Sequence, residues 1–286
     1  MTPWNQVAII GTGLIGGSLG LALRHRGLAM RVVGVGHRQG TLDEALRRGA
    51  ADTTSLDPLE GVRGSDLVVL ATAPSLFRDI LQRARPGLEP GAVVIDVGST
   101  KADVVRTCEA LMPDGAAFVG CHPIAGSERR GVTHASADLF EGATCVVTPT
   151  EKTPQEALER VIATWLGLGM TVRRLSPDEH DRLLAEVSHL THLVAAALVQ
   201  AAGDKAEPLI GPGWADTTRV ASGDADLWRD ILMSNAAEVA NALEGFERVV
   251  AAFREALRQG DGVRLQSLLA ESKSRRDRLI RKKEGR

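Results

Sequence analysis

Long apolar runs are scarce in this sequence: none approaches the roughly 20 residues that a membrane-spanning helix requires, so no membrane partner is expected. Charge of one sign is scarce as well. The 34 basic and 36 acidic side chains leave a formal charge of −2, which offers no overall attraction to nucleic acid or to an anionic membrane surface, and no nucleic-acid partner is expected. The three cysteines, Cys108, Cys121 and Cys145, are an odd number without metal-ligand spacing, which points to a reducing compartment rather than a disulfide framework. The first residues, Met1 to Gln6, lead almost directly into an apolar run and leave no room for a secretory leader, so the cytoplasm is the expected location. At 286 residues the chain is longer than most single domains, and two are expected.

From Val7 to about Val172, short β-branched runs alternate with helical stretches, the pattern of βα units around a parallel sheet. The runs are Val7 to Ile10, Val32 to Val35, Leu67 to Leu70, Val93 to Ile95, Ala117 to Val119, Cys145 to Val147 and Met170 to Val172. Their continuous apolarity fits strands covered on both faces. At Ser176-Pro177-Asp178-Glu179 a capping serine, a first-turn proline and a third-position glutamate predict the start of a long helix. Beyond it only helices are predicted, over about Pro177 to Ala202, Asp226 to Met233, Ala236 to Gln259 and Gly262 to Lys282. The expected fold is therefore α/β: a Rossmann-type doubly wound parallel sheet over 1–174, then an all-helical domain over 175–286. Val194 to Ala202 is small and apolar on all sides, which suits a helix at a subunit interface and predicts a homodimer through the helical part. The basic stretch Arg275 to Arg286 reads as a solvated helix end.

The segment Gly11-Thr12-Gly13-Leu14-Ile15-Gly16 follows the first strand and opens the first helix. In that place a GxGxxG pattern is a dinucleotide site: one glycine allows the tight turn, the next admits the pyrophosphate to the backbone, and the third lets helix pack on strand. The helix N-terminus adds free N–H groups and partial positive charge. At the end of the second strand, where an NAD-preferring site carries a carboxylate for the ribose, this chain has Gly36, followed by His37 and Arg38. A guanidinium and an imidazole suit a 2′-phosphate, so NADP is the expected cofactor, with NAD as the alternative. Thr72 and Ala73, after the third apolar run, lie at the carboxyl edge, where they would touch ribose or diphosphate.

Three further segments concentrate polar residues. Asp96-Val97-Gly98-Ser99-Thr100-Lys101 lies at the ligand edge, with Ser99 or Thr100 either capping the next helix or contacting ligand. Gly120-Cys121-His122-Pro123-Ile124-Ala125-Gly126-Ser127 follows the fifth run and holds the best candidate for a base, His122. In the helical part stand Ser188, His189 and His192, then Trp214 to Arg219 and Asp226 to Arg229. His189 and His192 share a helix face, yet no third ligand appears at diagnostic spacing and no metal is expected.

Five segments in order, GTGLIGGSLGLAL, DVGSTK, GCHPIAGSERRGV, HDRLLAEVSHLTHLVAAAL and ADTTRVASGDADLWRDI, resemble the prephenate and arogenate dehydrogenases of tyrosine biosynthesis nearly end to end. The resemblance implies oxidative decarboxylation of prephenate or arogenate with hydride transfer to NAD(P). It implies that His122 is catalytic beside the substrate's 4-hydroxyl, with Ser99 as a second hydrogen-bond partner. It also implies that Arg219 grips a substrate carboxylate and that His192, Asp216 and Trp228 line or gate the pocket. Thr191 stands where the family's motif has proline, and Trp214-Ala215 replace its usual aromatic-basic pair. Two alternatives stay open. A β-hydroxyacid-type dehydrogenase would need a catalytic lysine, for which Lys205 is the sole candidate between Lys152 and Lys273. A cofactor-sensing protein without chemistry would bind nucleotide and turn nothing over.

Overall fold

The computed structural model describes residues 2–126 and 129–284. Ser127 and Glu128, within the GCHPIAGSERRGV segment, lie outside them. Among the described residues eight strands form one sheet: β1 (Val7–Ile10), β2 (Val32–Val35), β3 (Thr53–Ser55), β4 (Leu67–Leu70), β5 (Val93–Asp96), β6 (Ala117–Ile124), β7 (Thr144–Thr148) and β8 (Thr171–Arg174). Their order is β3-β2-β1-β4-β5-β6-β7-β8. The chain starts in the middle of the sheet and winds outward both ways, the doubly wound arrangement expected from the sequence. Every residue of β1, β2, β4 and β5 is buried, because helices cover both faces. Between these strands lie α1 (Leu14–His25), α2 (Gln39–Arg47), α3 (Pro58–Val62), α4 (Phe77–Ala84) and α5 (Ala102–Glu109), and α6 (Gln155–Gly167) precedes β8. One core holds Leu19 and Leu23 of α1 with Trp165 of α6; a second holds Phe77 and Leu81 of α4 with Val104 and Val105 of α5.

Three departures from the sequence reading have physical causes. β3 is missed because its three residues, Thr-Thr-Ser at the sheet edge, carry no apolar signal. The sheet is not wholly parallel: β6 and β7 pair antiparallel, His122 opposite Val146. Among the described residues between them there is a short 3-10 turn at Val132–His134 and no α-helix, in keeping with a reversal rather than a crossover. The same pairing extends β6 to Ile124, so His122 lies within a strand rather than just after one. β6 runs beside β5 only as far as Val119, leaving Gly120 to Ile124 bonded to β7 on one edge and facing the loop after β5 on the other.

Ser176 starts the helical part as expected, its hydroxyl accepting from the N–H of Glu179 at 3.2 Å. The helix is not uniform. α7 (Pro177–Leu184) passes through one π-helical turn at Ala185–His189 into α8 (Leu190–Ala201). Contrary to the sequence reading, the stretch Pro177–Ala201 is long and apolar enough by length and composition to cross a membrane. His180, Asp181, His189 and His192 within it are nevertheless buried in polar and aromatic contacts described below. Then come α9 (Pro212–Thr218), a 3-10 turn at Arg219–Ser222 and α10 (Ala225–Ser234), capped by Asp224, whose carboxylate accepts from the N–H of Leu227.

The chain divides into two compact units, Met1–Ala236 and Ala237–Arg286. The second consists of two 23-residue helices, α11 (Ala236–Arg258, whose first residue belongs to the first unit) and α12 (Gly262–Glu284). Gly260, at φ +66°, makes the turn between them.

Candidate active site

The glycine turn is built as its spacing predicts. Gly11 closes β1 with φ +103°, and a side chain there would sit 2.6 Å from the carbonyl oxygen of Ala71. Gly16, in the first turn of α1 with Leu14 and Ile15, has no room either: its Cβ would fall 2.0 Å from the carbonyl oxygen of Gly11. Gly13 caps α1, and nothing lies within 4 Å of where its Cβ would be. The open side of the turn is therefore at Gly13, beside helix N–H groups that no side chain caps. From there a cleft of about 470 Å³ runs along the ends of β1 and β2, lined by Thr12, Gly13, Gly36, His37, Arg38, Thr41, Leu56, Thr72, Ile80 and Arg83 among others. The hydroxyls of Thr12 and Thr72 are buried and have no hydrogen-bond partner in the protein. Unpartnered hydroxyls, uncapped N–H groups and a glycine with open space fit a bound dinucleotide. Ala73 is not on the wall of the cleft, whereas Leu56, Pro58, Ile80 and Arg83, which the sequence did not mark, are.

Beyond the glycine turn, β5 ends in Asp96, wholly buried, whose carboxylate accepts from the N–H of Gly98 at 2.8 Å, from that of Cys121 at 3.1 Å and from the buried ammonium of Lys101. This buried ion pair ties the loop carrying Ser99 to the free edge of β6. Neither Ser99 nor Thr100 caps α5. The cap comes from the helical part: the Asp181 carboxylate of α7 accepts from the N–H of Lys101 at 2.7 Å and of Ala102 at 2.8 Å. Ser99 is half-buried on that loop, and Thr100 accepts from Ser234 of α10 at 3.0 Å.

His122 is 9% exposed. Its Nδ1 lies 2.8 Å from Nε2 of His180, whose own Nδ1 lies 2.8 Å from Oδ1 of Asp181. Burial holds the pKa of His122 well below the ordinary histidine value, and the nearby His180 and Lys101 push it further the same way. His180 is also lowered by burial, against the opposing pull of Asp181. Burial works to raise Asp181, but hydrogen bonds from His180 and the two backbone N–H groups bring it below the usual carboxylate range. Both rings are thus neutral and Asp181 ionised near neutral pH.

The contacts continue toward α8 and α10. Asn235 donates to the Asp181 carbonyl at 2.8 Å and lies 3.2 Å from Nδ1 of His189. His189 meets Trp228 edge-on and His192 stacks flat on it, so the two histidines do share a face and it is turned to one indole. The 3-10 turn that begins with Arg219 packs against α8. Arg219 and Asp216 are exposed there, and Arg130 forms an ion pair with Asp224 at the start of α10. Lys205 lies exposed in a 3-10 turn at Asp204–Leu209. Among the described residues no group of three or more His, Cys, Asp or Glu is placed to hold a metal ion.

The sequence reading passed over His180, Asp181 and Asn235. A signal was present: in a helix of period 3.6, residues 180, 181, 184 and 185 form one stripe, so the polar pair opens an otherwise apolar face.

Comparison with known proteins agrees in fold and sequence. Residues 19–174 match the family model for the prephenate dehydrogenase nucleotide-binding domain, and residues 176–271 match that for its dimerization domain. The prephenate dehydrogenase of Bacillus subtilis is 32% identical over 98% of this chain and 78% of its own length. Prephenate dehydrogenase from A. aeolicus, solved with hydroxyphenyl propionate and NAD+, superposes with a TM-score of 0.90 at 32% identity, covering 96% of this chain and 98% of that one. Synechocystis arogenate dehydrogenase superposes at 0.83 with 29% identity, covering 96% and 99%. A doubly wound nucleotide domain, a buried histidine on β6 and matches of this extent lead to one conclusion: the chain belongs to the prephenate dehydrogenase family.

Proposed function

We propose that this protein oxidises prephenate or arogenate with release of carbon dioxide, yielding 4-hydroxyphenylpyruvate or tyrosine. The observation that carries the reading is His122: a buried, neutral imidazole on the stretch of β6 that Asp96, at the end of β5, bonds through the N–H of Cys121, in a chain of this family. A nicotinamide bound at the glycine turn would supply the acceptor for the hydride from C4 of the ring. His122 accepts a hydrogen bond from the 4-hydroxyl, stabilising it as that carbon becomes carbonyl-like, and lets the proton settle back once the ring carboxylate has left and its electron pair has made the ring aromatic. Ser99 holds the same hydroxyl from the loop after β5. Arg219 binds a carboxylate through its guanidinium fork, while His192, Asp216 and Trp228 shape the pocket around the side chain.

The preferred cofactor is NADP. Gly36 stands where an NAD site has its carboxylate, and His37, Arg38 and Arg83 all line the cleft; among the described residues its lining carboxylate is Asp79, on α4 rather than at the end of β2. Functionally the chain divides at 174/175, with cofactor binding before and substrate binding and dimerisation after. The exposed Leu198 and Val199 of α8 are apolar surface for a homodimer contact. Three buried free thiols suit a reducing cytoplasm.

The test is His122→Asn assayed with prephenate and with arogenate. Turnover should fall about 10²- to 10⁴-fold while cofactor affinity is kept; near-wild-type turnover overturns the reading.

A further inference from the structure

The contact between His122 and His180 has a direction that the remaining bonds determine. An ionised carboxylate can only accept, so the proton between Asp181 and His180 sits on Nδ1 of His180. A neutral imidazole carries one proton, so Nε2 of His180 is then a bare lone pair. It faces Nδ1 of His122 at 2.8 Å. That nitrogen must donate, and the one proton of a neutral His122 is spent there. What remains is a lone pair on Nε2 of His122.

We infer that His180 and Asp181 are positioning residues that hold the proton of His122 on Nδ1 and so make Nε2 its basic atom. This rests on the reading of His122 as the group that accepts from the substrate hydroxyl. Free histidine in water favours the opposite tautomer, with the proton on Nε2, in which that nitrogen could only donate. The relay reverses that preference through two short hydrogen bonds in a buried setting, where such bonds are strong and a mismatched pair is costly.

The direction is anchored at its far end. Asp181 cannot turn away, because both its oxygens are held by backbone N–H groups at the start of α5 and its carbonyl is held by Asn235. α7 is thereby docked on the sheet domain in the register that sets His180 against β6. The charged and titratable groups around the pair are Lys101 and Asp96 from the loop after β5 and His189 from the π-helical turn. The Lys101 ammonium, buried and paired, opposes a second positive charge on either ring. Acid overrides this. A proton added to Nε2 of His180 turns it into a donor, His122 must then accept at Nδ1, and its own proton moves to Nε2, which abolishes the base without protonating it.

The tautomer is read directly by ¹⁵N NMR of histidine-labelled full-length protein, with His122→Asn identifying the His122 signals. The wild type should show His122 protonated on Nδ1 with a bare Nε2. His180→Phe, which cannot accept, should move the proton to Nε2 and lower kcat about 10²- to 10⁴-fold with cofactor affinity unchanged. His180→Gln can accept from His122 and donate to Asp181, so it should keep the Nδ1 tautomer and hold kcat within about tenfold of wild type, a rescue that a structural role would not give. A wild-type His122 carrying its proton on Nε2 overturns the relay. So does His180→Phe with wild-type kcat beside an inactive His122→Asn, which leaves the base itself in place. If His122→Asn is active, the base and the relay fall together. Should His180→Phe not fold, the wild-type tautomer and His180→Gln still decide.

Discussion

His192 lies face to face with Trp228, ring centroids 3.7 Å apart and planes 12° from parallel. The indole is a platform that sets the plane of the imidazole, and burial lowers the His192 pKa against the raising effect of the backbone at Val220. Aromatic stacks contribute about 0.5–1.5 kcal/mol beyond the area they bury. Trp228→Leu should therefore raise KM for substrate roughly 3- to 10-fold with a smaller change in kcat. Steady-state kinetics at saturating cofactor measure this, and an unchanged KM would make the stack packing alone.

Gly13 and Gly16 should separate binding from folding. Gly13→Ala places its methyl in open space, so stability should stay within about 0.5 kcal/mol. Cofactor affinity should drop at least about tenfold, because the pyrophosphate must approach that backbone. Gly16→Ala drives a methyl against the Gly11 carbonyl and should cost on the order of 1–3 kcal/mol of stability. Denaturant unfolding beside cofactor titration distinguishes them; equal effects on both quantities would refute the assignment.

The proposed cofactor choice rests on the end of β2. Arg38→Ala should weaken NADP about 10- to 100-fold, the loss of one or two charge-assisted hydrogen bonds, with little effect on NAD. Adding Gly36→Asp should invert the preference, with the buried Leu42 side chain, whose Cδ2 would lie 3.1 Å from the new Cβ, giving way by a few tenths of an ångström. Comparing kcat/KM for the two cofactors checks this, and an NADP:NAD ratio that does not move would remove Arg38 from the site.

Stability should decline toward acid. His122, His180, His189 and His192 all lie below the ordinary value of 6.5 because burial disfavours the charged ring, His189 at about 4. A depressed histidine leaves the unfolded chain binding protons that the folded chain refuses, so stability is full above 6.5 and is lost as pH falls from there toward 4. Asp181, held below 3.8, keeps its contribution throughout that window. Urea midpoints should drop steadily between roughly pH 7 and 4.5, and His189→Gln should flatten the descent. A level wild-type profile would contradict the burial argument.

Much of this was legible in the sequence because the signals are local. β-Branched runs, the GxGxxG spacing and the Ser176-Pro177 helix start each act within one turn of chain, and each marks an element that formed, although β6 runs on to Ile124 and the helix from Pro177 passes through a π-helical turn. His122, His192 and Trp228 were visible as polar or aromatic residues in marked segments. Hidden were features whose cause lies far along the chain. The cap of α5 comes from a carboxylate 79 residues away from Ala102, not from the adjacent Ser99 or Thr100. The antiparallel turn of β6 onto β7 moved His122 from a loop into a strand.

By itself the sequence determined the doubly wound fold, the helical second half and the open glycine at position 13, since backbone sterics and hydrophobic periodicity need no distant partner. Only the tertiary structure decided which atoms meet His122. His180 is 58 residues away, and a hydrogen bond of 2.8 Å exists only once α7 has docked on α5 and β6 has outrun β5.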